Sequence, residues 1–331
     1  MSRSNRIMIN STQDSFFTLS AYVDIGIFKY LCFLIVLAVY IATICANVLI
    51  IVTICITRSL HEPMYLFLVS LFANELYGST GLFPFLLVQI LSDVHTISYS
   101  LCFLQVFCLY SYAMIEFLTI AVMSYDRHLA ICYPLQYKTR MTFNKIMFLI
   151  ALTWAYAFFI MVLMGYCLAG RLQLCGNIIN KVYCDNYYIV RLACSDTTVN
   201  NVFGLFNMFT VIFGLIVFIL YTYLRILKVC FSGSKQTRQK AVSTCIPHLV
   251  SLVNFSCGTF FEIVQSRFDM SSVPNVLRVF LSLYFLTCQP LFNPVLYGLR
   301  MSKIHATCKI LLVGKKETTK NNKHDKCRAV M

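Results

Sequence analysis

Seven runs of apolar residues constrain this chain more than any other feature, because each could cross a hydrocarbon layer about 30 Å thick as roughly 20 residues of helix. They lie near 26–54, 64–91, 98–125, 143–168, 199–229, 240–264 and 276–298. Inside lipid the backbone must satisfy its own polar groups, so a spanning segment is either a helix or part of a closed barrel. These runs are continuous and much longer than the roughly 10-residue alternating strands of a barrel, which leaves a helix bundle. Composition agrees: 59% of the residues are hydrophobic and 12% charged, about half the charged share of a soluble domain.

The expected fold is an all-α integral membrane protein, a seven-transmembrane helix bundle at 26–298, with an extracellular segment at 1–25 and a cytosolic part at 299–331. Lys and Arg set the orientation. With the amino terminus outside, the stretches near 57–63, 126–145, 225–240 and from 300 onward are cytosolic. They hold 19 of the 27 basic residues and 4 of the 13 acids, the positive-inside pattern. The net charge of +14 therefore sits beside helix ends, where it suits anionic lipid and an acidic protein surface and argues against nucleic acid. A multi-pass protein of the plasma membrane is expected. The first 25 residues lack a short apolar core with a cleavage site, so the first helix is expected to act as an uncleaved targeting signal.

This orientation puts the sequon Asn10-Ser11-Thr12 outside, making Asn10 the candidate glycosylation site, and leaves Asn254-Phe255-Ser256 inside an apolar run. It also puts Cys102, Cys175, Cys184 and Cys194 in an oxidising compartment, where four cysteines allow three pairings. Cys308 and Cys327 in the basic tail are candidate palmitoylation sites. From Arg300 to Leu312 basic and apolar residues alternate as in a short amphipathic helix at the interface, and beyond Lys315 the composition is that of a disordered tail.

Charge inside an apolar run is costly and marks function or pairing. Asp126-Arg127 ends the third run, so the guanidinium can be held by its neighbour at rest and its five fixed donors released at the cytosolic mouth, as a two-state element requires. Tyr223 and Tyr297 are the candidate partners of a released Arg127, with an interfacial belt role as the alternative. Pro294 frees a carbonyl in the seventh helix, and the amide of Asn293 is placed to answer it. Glu75 and Glu116 sit deeper, Glu116 about three turns before Arg127. With Asn47 and Asn293 they form a candidate sodium or proton site; two protonated, hydrogen-bonded acids are the alternative.

Higher in the bundle, Leu109, Tyr110, Ala113 and Met114 of the third helix share a level with Asn207, Val211, Thr259, Phe260, Tyr284 and Thr287. Apolar walls with a few hydroxyls and amides suit a small organic ligand, while ordinary helix packing is the bland reading of each. Glu262, Arg267, Asp269 and Arg278 near the outer mouth could steer a polar ligand. No cluster has metal-ligand spacing and no Gly-rich phosphate loop is present, so no enzyme is expected.

Four ordered motifs add a resemblance: His61-Glu62-Pro63-Met64-Tyr65, the stretch from Ser124 to Cys132 around Tyr125-Asp126-Arg127, Lys240 to Leu249, and Asn293-Pro294-Val295-Leu296-Tyr297. Over about 25–312 the chain resembles a rhodopsin-like G-protein-coupled receptor and, more narrowly, an odorant (olfactory) receptor, with Glu75 and Pro247 closest in look to those of fish. Ser124, His128 and Leu129 depart from the third-helix signature, and Ser256 stands about where many other rhodopsin-like receptors carry a Trp. The resemblance implies Asp126, Arg127, Tyr223, Asn293, Pro294 and Tyr297 as switch and G-protein-coupling residues, a Cys102–Cys184 disulfide and with it Cys175–Cys194. It also implies a small-molecule odorant, no cofactor other than the candidate sodium ion, and a heterotrimeric G protein of the stimulatory olfactory type that raises cyclic AMP. The alternatives are a non-olfactory rhodopsin-like receptor for another small molecule or peptide, and a transporter, which would want internally repeated, interrupted helices.

Overall fold

The computed structural model describes residues 16–165, 172–232, 235–268 and 273–313. Asn10, Asp269, Cys327 and the segment beyond Lys315 lie outside them. The membrane-length helices are α1 (Phe28–Ile56), α2 (Pro63–Leu91), α3 (Tyr99–Cys132), α5 (Phe143–Met164), α7 (Thr198–Ser232), α8 (Lys235–Arg267) and α9 (Asn275–Arg300). Six pass as single apolar spans, and α9 makes the seventh as two segments, Asn275–Tyr284 and Leu286–Arg300, bent by 44°. Short α4 (Tyr137–Arg140) and α6 (Asn186–Arg191) lie in loops, and α10 (Ser302–Val313) follows the bundle.

Local chemistry sets several of these ends. Pro63 opens α2, where its missing N–H costs nothing. The hydroxyls of Ser98 and Thr142 accept the N–H groups of Leu101 and Lys145 and so cap α3 and α5. Pro290 cannot donate to the carbonyl one turn earlier, at Leu286, which is where α9 bends. The carbonyl that Pro294 frees is that of Pro290. The Asn47 amide takes it at 2.8 Å, so α1, and not Asn293 as the sequence suggests, repairs the proline break.

α3 is the central post, packed against α2, α5, α7 and α8. Its tightest neighbour is α2. A Cβ at Gly78 would lie 2.4 Å from Cδ2 of Tyr112, and one at Gly81 2.9 Å from Cβ of Cys108. Gly78→Ala would gain about 1 kcal/mol of helix propensity. The Tyr112 ring, fully buried and hydrogen-bonded to Glu75 at 2.9 Å, cannot move aside freely, and such overpacking costs about 1–3 kcal/mol. A lower thermal midpoint of the purified receptor is the expected result, and an unchanged one would show that Tyr112 yields.

A feature with no periodic trace in the sequence closes the outer face. β1 (Phe16–Leu19) pairs antiparallel with β2 (Thr96–Ser98) and parallel with β3 (Ile178–Ile179). Phe17, Leu19, Ile97 and Ile179 pack beneath this sheet with the Cys102–Cys184 disulfide, which ties the loop after α5 to the top of α3. Cys175–Cys194 closes the same loop on itself. On the other side, α10 buries Ile304 and pairs Lys303 with Glu62 at 2.7 Å. Cys308 faces Thr53 of α1 at 3.4 Å, so its thiol is turned toward the bundle, which disfavours its acylation.

Candidate functional site

At the cytosolic end of α3, Arg127 donates from Nε to Asp126 Oδ2 at 3.0 Å, and from Nη2 to the same oxygen. The other oxygen accepts the Tyr137 hydroxyl at 2.7 Å. Asp126 is fully buried, so these contacts replace its lost hydration. Burial first, and then the adjacent carboxylate, push the Tyr137 phenol upward, which keeps it a donor. Among the described residues Arg127 makes no hydrogen bond to Tyr223 or Tyr297. The buried Tyr223 hydroxyl has no hydrogen-bond partner among the described residues, while Tyr297 meets His248 Nδ1 at 3.2 Å. The arrangement is a guanidinium closed on its neighbour, with an unused phenol within the same cytosolic end.

Deeper in the bundle the two acids join one network. Asn293 Nδ2 donates to Oε1 of Glu75 and, at 2.8 Å, to Oε1 of Glu116. The Tyr112 hydroxyl reaches Oε2 of Glu75, and Asn74 Nδ2 reaches Oε2 of Glu116 at 3.2 Å. Gln289, one turn before Asn293, donates to Glu116 at 3.3 Å and to Ser251 Oγ at 3.0 Å, and accepts from Asn254. Glu75, Glu116, Asn74, Gln289 and Asn293 are all fully buried. Asn47, expected in this site, gives its amide N–H groups to the Pro290 and Thr43 carbonyls, and its Oδ1 has no hydrogen-bond partner among the described residues.

Above this network lies a cavity of about 140 Å³ between α3, α5, α7 and α8. Leu109, Tyr110, Ala113, Met114, Asn207, Val211 and Thr259 line it. Three expected residues do not. Phe260 is 68% exposed and faces outward, because one helical residue turns about 100° from Thr259. Tyr284 gives its hydroxyl to Asn254 at 2.6 Å, and Thr287 bonds back to the Leu283 carbonyl at 2.8 Å.

Glu262, expected near the outer mouth, and three residues that the sequence did not single out, Phe117, Tyr183 and Asp185, complete the cavity. Phe117 lines it, packed at 4.9 Å between ring centroids against Phe255, a fully buried aromatic beside Ser256. Tyr183, Asp185 and Glu262 form its roof: Asp185 accepts the Tyr110 hydroxyl at 2.9 Å, and Glu262 accepts from Lys181 and from Tyr183 at 2.8 Å. The signal for Lys181 and Asp185 was their position beside Cys184, which the disulfide fixes over the bundle.

Three comparisons bear on this geometry. Residues 36–315 match the family model described as olfactory receptor. Olfactory receptor 11A1 of Homo sapiens is 38% identical over 310 residues, covering 91% of this chain and 95% of that protein. Olfactory receptor 5M5 of Mus musculus is 35% identical over 287 residues, covering 85% and 88%. The crystal structure of squid rhodopsin matches with a TM-score of 0.68 over 89% of this chain and 85% of that one, a likeness of fold at 16% identity.

Proposed function

Since this chain belongs to the olfactory receptor family, we propose that it holds its ligand in the cavity between α3, α5, α7 and α8 and passes the signal through release of Arg127 to a stimulatory, olfactory-type G protein, raising cyclic AMP. It is an odorant receptor of the multi-pass membrane kind and not an enzyme. The observation that carries the ligand reading is the convergence of Leu109, Ala113, Met114, Asn207, Val211 and Thr259 on one space. An apolar cavity of about 150 Å³ holds a molecule the size of benzene, so the ligand is small and mostly apolar, with one polar group for Asn207 or Thr259.

The pocket is tested by a matched pair. In cells that report cyclic AMP, a ligand found from a panel of small odorants should lose its response in Ala113→Trp, which fills the cavity. Phe260→Trp, on the outward face, should keep it. Loss in both, or in neither, contradicts the assignment.

The network around Glu75 and Glu116 supports a shared proton better than a sodium ion. All four carboxylate oxygens already accept an N–H or O–H from the protein, and two carboxylates sharing the Asn293 amide cannot comfortably both carry charge. Resting cyclic AMP should therefore not change when external sodium is replaced by choline. A sodium-dependent resting signal that disappears in Glu116→Gln would establish the ion instead.

A further inference from the structure

α1 and α9 approach closely toward the cytosolic side, where the Asn47 amide reaches the Pro290 carbonyl at 2.8 Å and where a Cβ added to Gly298 would lie 3.5 Å from Cδ1 of Ile50. Above the 44° bend the outer segment of α9, Asn275–Tyr284, instead forms one wall of a cleft of about 620 Å³ between the outer ends of α1, α2 and α9. Val36 of α1, Leu86 and Ile90 of α2, and Val279 and Leu283 of α9 make its depth apolar. No residue that lines the inner cavity lines this cleft.

The rim is charged, and unevenly. Two carboxylates, Asp24 and Asp93, stand there with one cation, Lys29, on which both act, while Arg191, Arg267 and Arg278 line a neighbouring space instead. Lys29 donates to Asp93 Oδ1 at 2.9 Å, but the Asp93 side chain is 89% exposed, and an ion pair so open to water contributes little. Asp24 accepts the Gly26 N–H at 2.8 Å and forms no ion pair among the described residues. Other polar side chains of the rim are occupied: the Ser92 hydroxyl donates to the Val94 carbonyl at 2.7 Å, Asn275 accepts from Arg278, and the His95 ring stacks on Tyr22 with 4.3 Å between centroids. One carboxylate is therefore in excess. Both acids are exposed, so an occupant of the cleft reaches them.

An alkyl chain gains as much in the surrounding lipid as in such a cleft, so the apolar depth selects no ligand by itself. The carboxylates do, because a primary ammonium is drawn by the excess negative charge and has three donors to share between them. We propose that the cleft is a second binding site, separate from the inner cavity, for an alkylammonium amphiphile. The ammonium takes up the charge excess at Asp24 and Asp93, and the chain runs inward past Val36, Leu86 and Leu283.

The test needs no G protein, so its failure is distinct from failure of the odorant reading. Tritiated n-octylamine is titrated onto the full-length receptor in zwitterionic lipid nanodiscs, with binding to receptor-free nanodiscs subtracted. It is then competed with unlabelled n-octylamine, 1-octanol and octanoate, which share chain length and differ in charge. Saturable binding is expected, with octanol at least about tenfold weaker than the amine and octanoate weaker still. Asp24→Asn with Asp93→Asn should bring the amine down to octanol. Cys32→Trp, which fills the cleft, should remove saturable binding, and Ala113→Trp in the inner cavity should leave it intact. The ranking on the wild type does not depend on any variant folding. Absence of saturable binding overturns the proposal, as does octanol or octanoate competing as well as the amine. Amine binding that Ala113→Trp abolishes while Cys32→Trp and the double variant leave it unchanged overturns it too.

Discussion

Cells expressing Cys102→Ser are expected to display almost no receptor at their surface and to give no ligand response. The Cys102–Cys184 bond spans 82 residues, and in the loop-closure account a link of that length stabilises by about 4–5 kcal/mol. The Cys175–Cys194 bond spans 19, for which the same account gives about 3 kcal/mol. Helices already inserted in a bilayer restrict the unfolded chain, so these figures are upper bounds. The larger bond also has a positional role, since Tyr183 and Asp185, which roof the cavity, flank Cys184 on one short loop with Lys181, the partner of Glu262. The two effects separate in Cys175→Ser, which should lose surface display less severely and keep ligand response in the receptor that arrives. Normal surface levels and normal signalling in Cys102→Ser would show that the β1, β2 and β3 sheet alone holds the roof.

Asp126→Asn should raise ligand-independent cyclic AMP. Asp126 accepts three hydrogen bonds, two from Arg127 and one from Tyr137, and it is the only carboxylate that holds this guanidinium among the described residues. Removing one partner of a buried ion pair costs about 3–5 kcal/mol; with Arg127 partly exposed, the lower end applies, and the resting state would lose about a hundredfold in population relative to an open one. Tyr137→Phe removes a single hydrogen bond and should raise resting activity far less. The double variant Asp126→Asn with Arg127→Ala should be silent. If Asp126→Asn is silent by itself at equal surface level, the pair is a structural tie and not a latch.

Much of this was legible in the sequence because charge in an apolar run has so few explanations. Asp126, Arg127, Glu75 and Glu116 stood out for that reason; Arg127 is hydrogen-bonded to Asp126, and Glu75 and Glu116 are joined through the amide of Asn293. Gln289 carries no charge and therefore no signal, although it joins Glu116, Ser251 and Asn254 into one network. Leu109, Ala113 and Thr259, grouped by helical phase, line one cavity, whereas Phe260 points away from it, because an error of one residue reverses the face. Helical phase failed again at Tyr284 and Thr287, beside the 44° bend of α9, where a straight-helix phase no longer applies. The role of Asn47 was hidden because the carbonyl freed by Pro294 is answered from another helix, 243 residues away in sequence. The sheet over the outer mouth left no trace, since strands of two to four residues paired across such distances show no period.

The most direct measurement is cyclic AMP in cells bearing surface-verified receptor, wild type beside Arg127→Ala, challenged with a broad panel of small water-soluble odorants. A ligand-dependent rise in the wild type that is lost in Arg127→Ala at equal surface level is the predicted result. A rise of the same size in Arg127→Ala would contradict the account, because signalling would then not pass through the one guanidinium that the fold holds closed at the cytosolic end of α3.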